Sequence, residues 1–175
     1  MDSLLKRLFL DISLLFSIAG FTWAGPDPKV MVLDIQLNDL TDLPNAPEEL
    51  ARDAFLSSTF RQRLADKGVA VLPPAESLKT LAAQNSPTYL FDRPAEAAKL
   101  AAPSGADYVI IGVALKPTYL FVYPRLLLID VKQQKVVMPT YAQLESSWTD
   151  QNTTARTAEY LAGKIAAKVK ALAEQ

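Results

Sequence analysis

The feature that most narrows the fold is the run from Tyr119 to Val131, which is apolar at almost every position whatever its parity. Side chains on a strand alternate between the two faces, so a run apolar on both belongs inside a sheet. Pro124 interrupts it and predicts a bulge or a locally unpaired stretch there. Tyr108 to Leu115 precedes it as a second strand, separated by a Lys116-Pro117-Thr118 turn. After a four-residue hairpin loop, Lys132 to Lys135, comes a last strand from Val136 to Trp148. Within that strand Ala142 and Leu144 share one face, and Gln143, Glu145 and Ser147 the other. Pro139 cannot donate to a ladder, which assigns this strand to an edge or a bulge.

Upstream the chain alternates. Val30 to Leu33, extended through Ile35 and Leu37, reads as one buried strand, and Asn38 to Ala46 as a loop. Asn45 with Glu48 three residues on, and Pro47 in the first turn, opens a helix. Leu50, Ala54, Ser57, Phe60 and Leu64 recur along it at helical spacing until Gly68 stops it. Val69 to Leu72 is a short strand closed by Pro73-Pro74. Ala75 to Ala83 and Pro94 to Ala102 read as helices either side of a break from Asn85 to Arg93. A final helix runs from about Thr153 to Ala173, with Leu161, Ile165, Val169 and Leu172 as its apolar stripe. The order is β-α-β-α-α-β-β-β-α. It predicts an α/β (α+β) domain with a mixed sheet of about five strands and helices packed on it.

The N-terminus carries Lys6 and Arg7, then an apolar run from Leu8 to Phe21, then Thr22-Trp23-Ala24 before Gly25. That is the layout of a secretory signal peptide over residues 1–24, leaving residues 25–175 as a single periplasmic or secreted domain. The alternative is an inner-membrane anchor through residues 8–24. The run is short for a span of about 20 residues, and Asp11 inside it is costly in lipid. No stable membrane insertion is expected after cleavage. No cysteine follows the apolar run, which excludes lipoprotein anchoring.

The chain of 175 residues has neither histidine nor cysteine. That removes disulfides, thiolate nucleophiles, iron–sulfur clusters and cysteine or histidine metal sites, together with the Ser-His-Asp triad and imidazole relays. A net charge of −1 gives no basic face for nucleic acid. No Walker A, G-x-G-x-x-G, G-x-S-x-G or H-E-x-x-H motif is present. No catalytic residue, metal site or cofactor is therefore assigned.

The acidic residues Asp34, Asp39, Asp42, Glu48, Glu49 and Asp53 lack the spacing and glycine pivot of a calcium loop, and carboxylates near a helix start are ordinary dipole partners. The Gln143, Glu145 and Ser147 face reads as a solvated edge. Lys164, Lys168 and Lys170 suit the C-terminal half of a helix. The best binding candidate is Tyr119, Phe121, Tyr123 and Arg125. Their spacing puts them on one strand face if Pro124 keeps the register, and aromatic residues with arginine compose interface hot spots. Trp148 either extends that patch or caps the core. The competing assignment is that the row packs under a helix.

The segment Gly105-Ala106-Asp107-Tyr108-Val109-Ile110-Ile111-Gly112-Val113, a long strand ending in Ile129-Asp130-Val131, and Val136-Val137 after a tight turn form a recognisable pattern. It resembles a group of bacterial envelope domains: the TolB N-terminal domain, the LpoB lipoprotein that activates penicillin-binding proteins, and the core of the curli secretion protein CsgG. With the first strand and Ser147-Trp148-Thr149 before the last helix, the chain is more closely similar to a family of small exported bacterial proteins of unknown function. Many of those proteins carry two cysteines before the Gly-Ala-Asp step, and none stands here. The resemblance implies a TolB-like fold and a non-enzymatic accessory module with an envelope protein partner. The alternatives are a periplasmic small-molecule binder and an atypical carboxylate hydrolase. The residues give Gly105 the part of helix terminator, let Asp107 bond loop backbone, and leave space over Gly112 and Ala114 for a helix.

Overall fold

The computed structural model describes residues 27–145 and 149–174. The expected signal peptide, together with Ser147 and Trp148, lies outside them. No helix among the described residues is long and apolar enough to cross a membrane. Their strands are β1 (Lys29–Val32), β2 (Gln36–Asp39), β3 (Ala70–Leu72), β4 (Tyr108–Lys116), β5 (Phe121–Asp130), β6 (Lys135–Tyr141) and β7 (Leu144–Glu145). The helices are α1 (Pro47–Asp66), α2 (Glu76–Gln84), α3 (Pro94–Ala101) and α4 (Gln151–Ala173), with a 3-10 turn at Ala102–Ser104.

All seven strands join one mixed sheet in the order β3-β1-β4-β5-β6, with β2 also along β4 and β7 also along β5. The β3, β1, β2 and β4 pairings are parallel; those of β5 with β4, β6 and β7 are antiparallel. The α/β class and mixed sheet match the expectation, and β6 with its Pro139 is an edge as predicted.

Two expected strands are each split, for different reasons. The first is broken by a bulge. Val32 pairs with Ile110 and Gln36 with Val113, so Leu33, Asp34 and Ile35 oppose only Ile111 and Gly112. The extra residue flips the side-chain parity. Val30 and Val32 before it, and Ile35 and Leu37 after it, all enter the same core. The Ile35 N–H that the bulge frees donates to Ser57 Oγ of α1 at 3.0 Å.

The last strand is broken opposite Pro124. A strand residue's N–H and C=O point the same way, and the Pro124 carbonyl accepts the Ala142 N–H at 3.0 Å. The missing proline N–H therefore faces the gap between Tyr141 and Leu144, where β6 gives way to β7. On the other side Pro124 stays in register opposite Ala114. Of the two outcomes expected at Pro124, a bulge or a locally unpaired stretch, the second is found, on the β6–β7 side; the bulge-like irregularity in β5–β6 pairing falls instead between Leu128 and Ile129.

The two faces of the sheet carry two cores. On one, Phe60 and Leu64 of α1 and Leu161, Ile165 and Val169 of α4 pack on Ile110, Leu126 and Leu128. On the other, Leu78 of α2 and Ala97, Ala98 and Ala101 of α3 pack on Met31, Val109, Ile111 and Ile129. Each fully buried leucine, isoleucine or phenylalanine contributes about 1.5–3 kcal/mol.

The N-terminal half of α1 is rotated relative to the expected stripe. Leu50 and Ala54 are exposed, while Glu49, Asp53, Leu56, Ser57, Phe60 and Leu64 face inward. Asn45 is not the helix cap: Ala46 is, and Asn45 takes φ 59°, which asparagine tolerates. Gly105 ends its helix at φ 72° as expected. Asp107 Oδ2 accepts the Lys29 N–H at 2.7 Å. The space over Gly112 is filled by Leu126 and Ile35 side chains rather than by a helix.

Candidate binding surface and groove

Along β5 the odd-numbered side chains share one face. Leu127 and Ile129 point into the α2–α3 core. Beyond them the cover ends: Arg125 is exposed, and Tyr123 and Phe121 are half-buried. The register seats Val113 and Tyr141 on either side of Arg125, and Leu115 beside Tyr123. The Phe121 and Tyr123 rings stack with centroids 6.3 Å apart and planes at 26°. The Arg125 guanidinium lies 5.4 Å from the Phe91 ring centroid.

Three of the five expected residues are thus brought together. Tyr119 sits in the turn before β5, 59% exposed, with the Lys116 ammonium 5.3 Å from its ring centroid. Trp148 lies outside the described residues. Tyr141, 70% exposed, joins the face through β5–β6 pairing and was not among the expected residues. Exposed Leu120 and Leu40 extend the apolar surface at this end, Leu40 through its N–H bond to the Lys116 carbonyl at 3.0 Å.

Behind this end lies a buried ionic cluster. Lys116, only 2% exposed, places Nζ 3.2 Å from Asp39 Oδ2 and 3.3 Å from Glu49 Oε2. Glu49 also pairs with Arg52 at 2.5 Å. Burial opposes the charge on Asp39, but hydrogen bonds from the Thr41 hydroxyl and N–H and the Lys116 ammonium outweigh it and hold the carboxyl below its usual range.

A groove of about 750 Å³ separates α1, the β1–β2 bulge and the end of α2. Asp34 and Asp53 both line it. Asp34 is ion-paired with Arg61. Asp53 has a carboxyl oxygen that is buried with no hydrogen-bond partner. Burial, reinforced by the nearby charge of Asp34, pushes its carboxyl up to about 8. The acidic residues of the sequence are therefore dispersed: Asp39 and Glu49 hold Lys116, while Asp34 and Asp53 face the groove. Among the described residues no group of three or more acidic side chains is placed to hold a metal ion.

Solved structures match the chain at low sequence identity. The hypothetical protein CT253 from Chlamydia trachomatis matches with a TM-score of 0.52 at 17% identity, covering 82% of this chain and 99% of that one. The LpoB C-terminal domain from Escherichia coli matches with a TM-score of 0.47 at 17% identity, over 68% of this chain and 83% of that one. TolB from Acinetobacter baumannii matches with a TM-score of 0.43 at 18% identity, over 79% of this chain and 29% of that one. LpoB and TolB, to which the chain was expected to be distantly similar, are among the matches. No curated protein matches the chain. A family model does, over residues 28–165, and the chain belongs to that family, described as "Protein of unknown function (DUF2380)".

Proposed function

We propose that this chain is an exported, non-enzymatic accessory module of the bacterial cell envelope. It recognises a protein partner through the aromatic face at the open end of its sheet. The observation that carries this reading is the uncovered end of β5 and its neighbours: Phe121, Tyr123 and Arg125 on β5 and Tyr141 on the paired β6, half-buried to exposed, with exposed Tyr119 in the turn before β5. Tyrosine and arginine held on such a scaffold contribute large contact area at little entropic cost, which is the make-up of interface hot spots. The basic and apolar N-terminal pattern and the resemblance of residues 105–113 to exported envelope domains support the compartment.

The test is Tyr119→Ala and Tyr123→Ala in the full chain, assayed by crosslinking in intact envelopes and by thermal melting of the purified protein. Each variant is expected to cut the yield of a discrete heterocomplex about tenfold, the weight of a 1.4 kcal/mol hot spot. Both are expected to keep their thermal transition. Loss of that transition in both variants would make the row a core element and refute the reading.

A further inference from the structure

The groove beside α1 lies apart from the aromatic face and has its own chemistry. It is an open cleft of about 750 Å³, within the size range of small-ligand sites. Asp53, 9% exposed, lies on the buried stripe of α1. Its Oδ1 is buried and has no hydrogen-bond partner. Leaving such an atom unsatisfied costs about 1–3 kcal/mol. Asp34, lining the same groove, is ion-paired with Arg61, so Asp53 is the carboxyl there without an ion-pair partner.

We propose that this groove is a binding site for a small organic cation, an ammonium group carried on an apolar body. The ammonium is held by Asp53, with Asp34 beside it. The apolar body lies against Leu37, Leu50, Ala82 and Pro87, which line the groove. A neutral alcohol of the same shape fills the same space but gives Asp53 no opposite charge.

The site carries a pH signature. The titratable groups lining the groove with Asp53 are Asp34, which follows β1, and Arg61 on α1; β2 and the α2 side contribute Gln36, Leu37, Ala82, Ala83, Asn85 and Pro87, none of which titrates. Because Asp53 holds its proton up to about pH 8 in the free protein, an ammonium must displace that proton below this value. Affinity for the cation therefore rises about tenfold per pH unit on the acid side of that point.

The test uses the purified full chain, with benzylammonium chloride as the probe and benzyl alcohol as its neutral isostere, followed by backbone amide NMR at pH 6 and pH 7. Saturable shifts are expected at the amides of Ile35, Ala54 and Asn85, with affinity for benzylammonium about tenfold higher at pH 7 than at pH 6. Benzyl alcohol is expected to bind more weakly and without pH dependence. Asp53→Asn removes the preference for the cation. If that variant fails to fold, the pH dependence and the alcohol comparison in the unaltered chain decide the matter. Absence of saturable shifts at these amides at millimolar benzylammonium overturns the proposal, as does equal, pH-independent binding of both probes. Neither result bears on the aromatic face, because Tyr119 and Tyr123 line no part of the groove.

Discussion

At Gly112 the sheet has no space for a methyl group. A Cβ there would stand 2.5 Å from Leu126 Cδ2 and 3.0 Å from Ile35 Cγ1, both in the fully packed core under α1 and α4. Gly112→Ala is expected to cost about 1–3 kcal/mol in urea unfolding, the range of overpacking in a filled core. Asp53 makes stability depend on pH. Its carboxyl ionises near 3.8 in the unfolded chain and near 8 in the folded one. Between those values the unfolded state binds fewer protons, so stability falls as pH rises, by about 1.4 kcal/mol per unit at most. The penalty is absent below the lower value and complete above the upper one. Asp53→Asn should therefore melt several degrees above the unaltered chain at pH 8.5 and together with it at pH 3.5. Of these two residues, Gly112 was legible as a place of close approach, because a glycine inside a β-rich run demands one. Which atoms approach it was not legible, since Ile35 arrives from far along the chain through a bulge.

The elements themselves were read from periodicity, and their errors share a cause. The first strand was continuous in the sequence because Leu33 and Ile35 are both apolar; only the register against β4 reveals the extra residue. The stripe of α1 was drawn through Leu50 and Ala54 because Glu49 and Asp53 are carboxylates. Glu49 turns inward because its counter-charge, Lys116, comes from β4, and Asp53 because it faces the groove. Such pairings lie beyond any local window. The Lys116 cluster gives the element-scale prediction. Lys116→Met removes the ammonium while keeping similar bulk, leaving the buried Asp39 carboxylate without a counter-charge and held only by Thr41. The expected loss at neutral pH is about 3–5 kcal/mol, the cost of breaking one side of a buried pair. The loss should shrink on acidification, as Asp39 without its partner takes up a proton. A loss unchanged down to pH 3 would show that packing, not charge, sets it.

On the scale of the whole molecule, two helix pairs cover a mixed sheet, but α3 stops short of the end where β4 turns into β5. The fold class, the edge position of Pro139 and the helical layers followed from composition and alternation. The openness of one sheet end did not, because it depends on where α3 ends in space. Tyr141 joined the aromatic face only through pairing with β5. The molecule presents a sheet with an aromatic end, and the proposed partner meets it there. The most direct measurement is site-specific photocrosslinking in living cells, with benzoylphenylalanine at position 119, 141 or 170. Lys170 is a fair control: it is exposed near the C-terminal end of α4, where Leu172 and Ala173 line a groove with Tyr108, at the opposite end of β4 from Lys116. One common envelope protein is expected from positions 119 and 141 and not from 170. Capture from position 170, with none from 119 or 141, would contradict binding at the aromatic end.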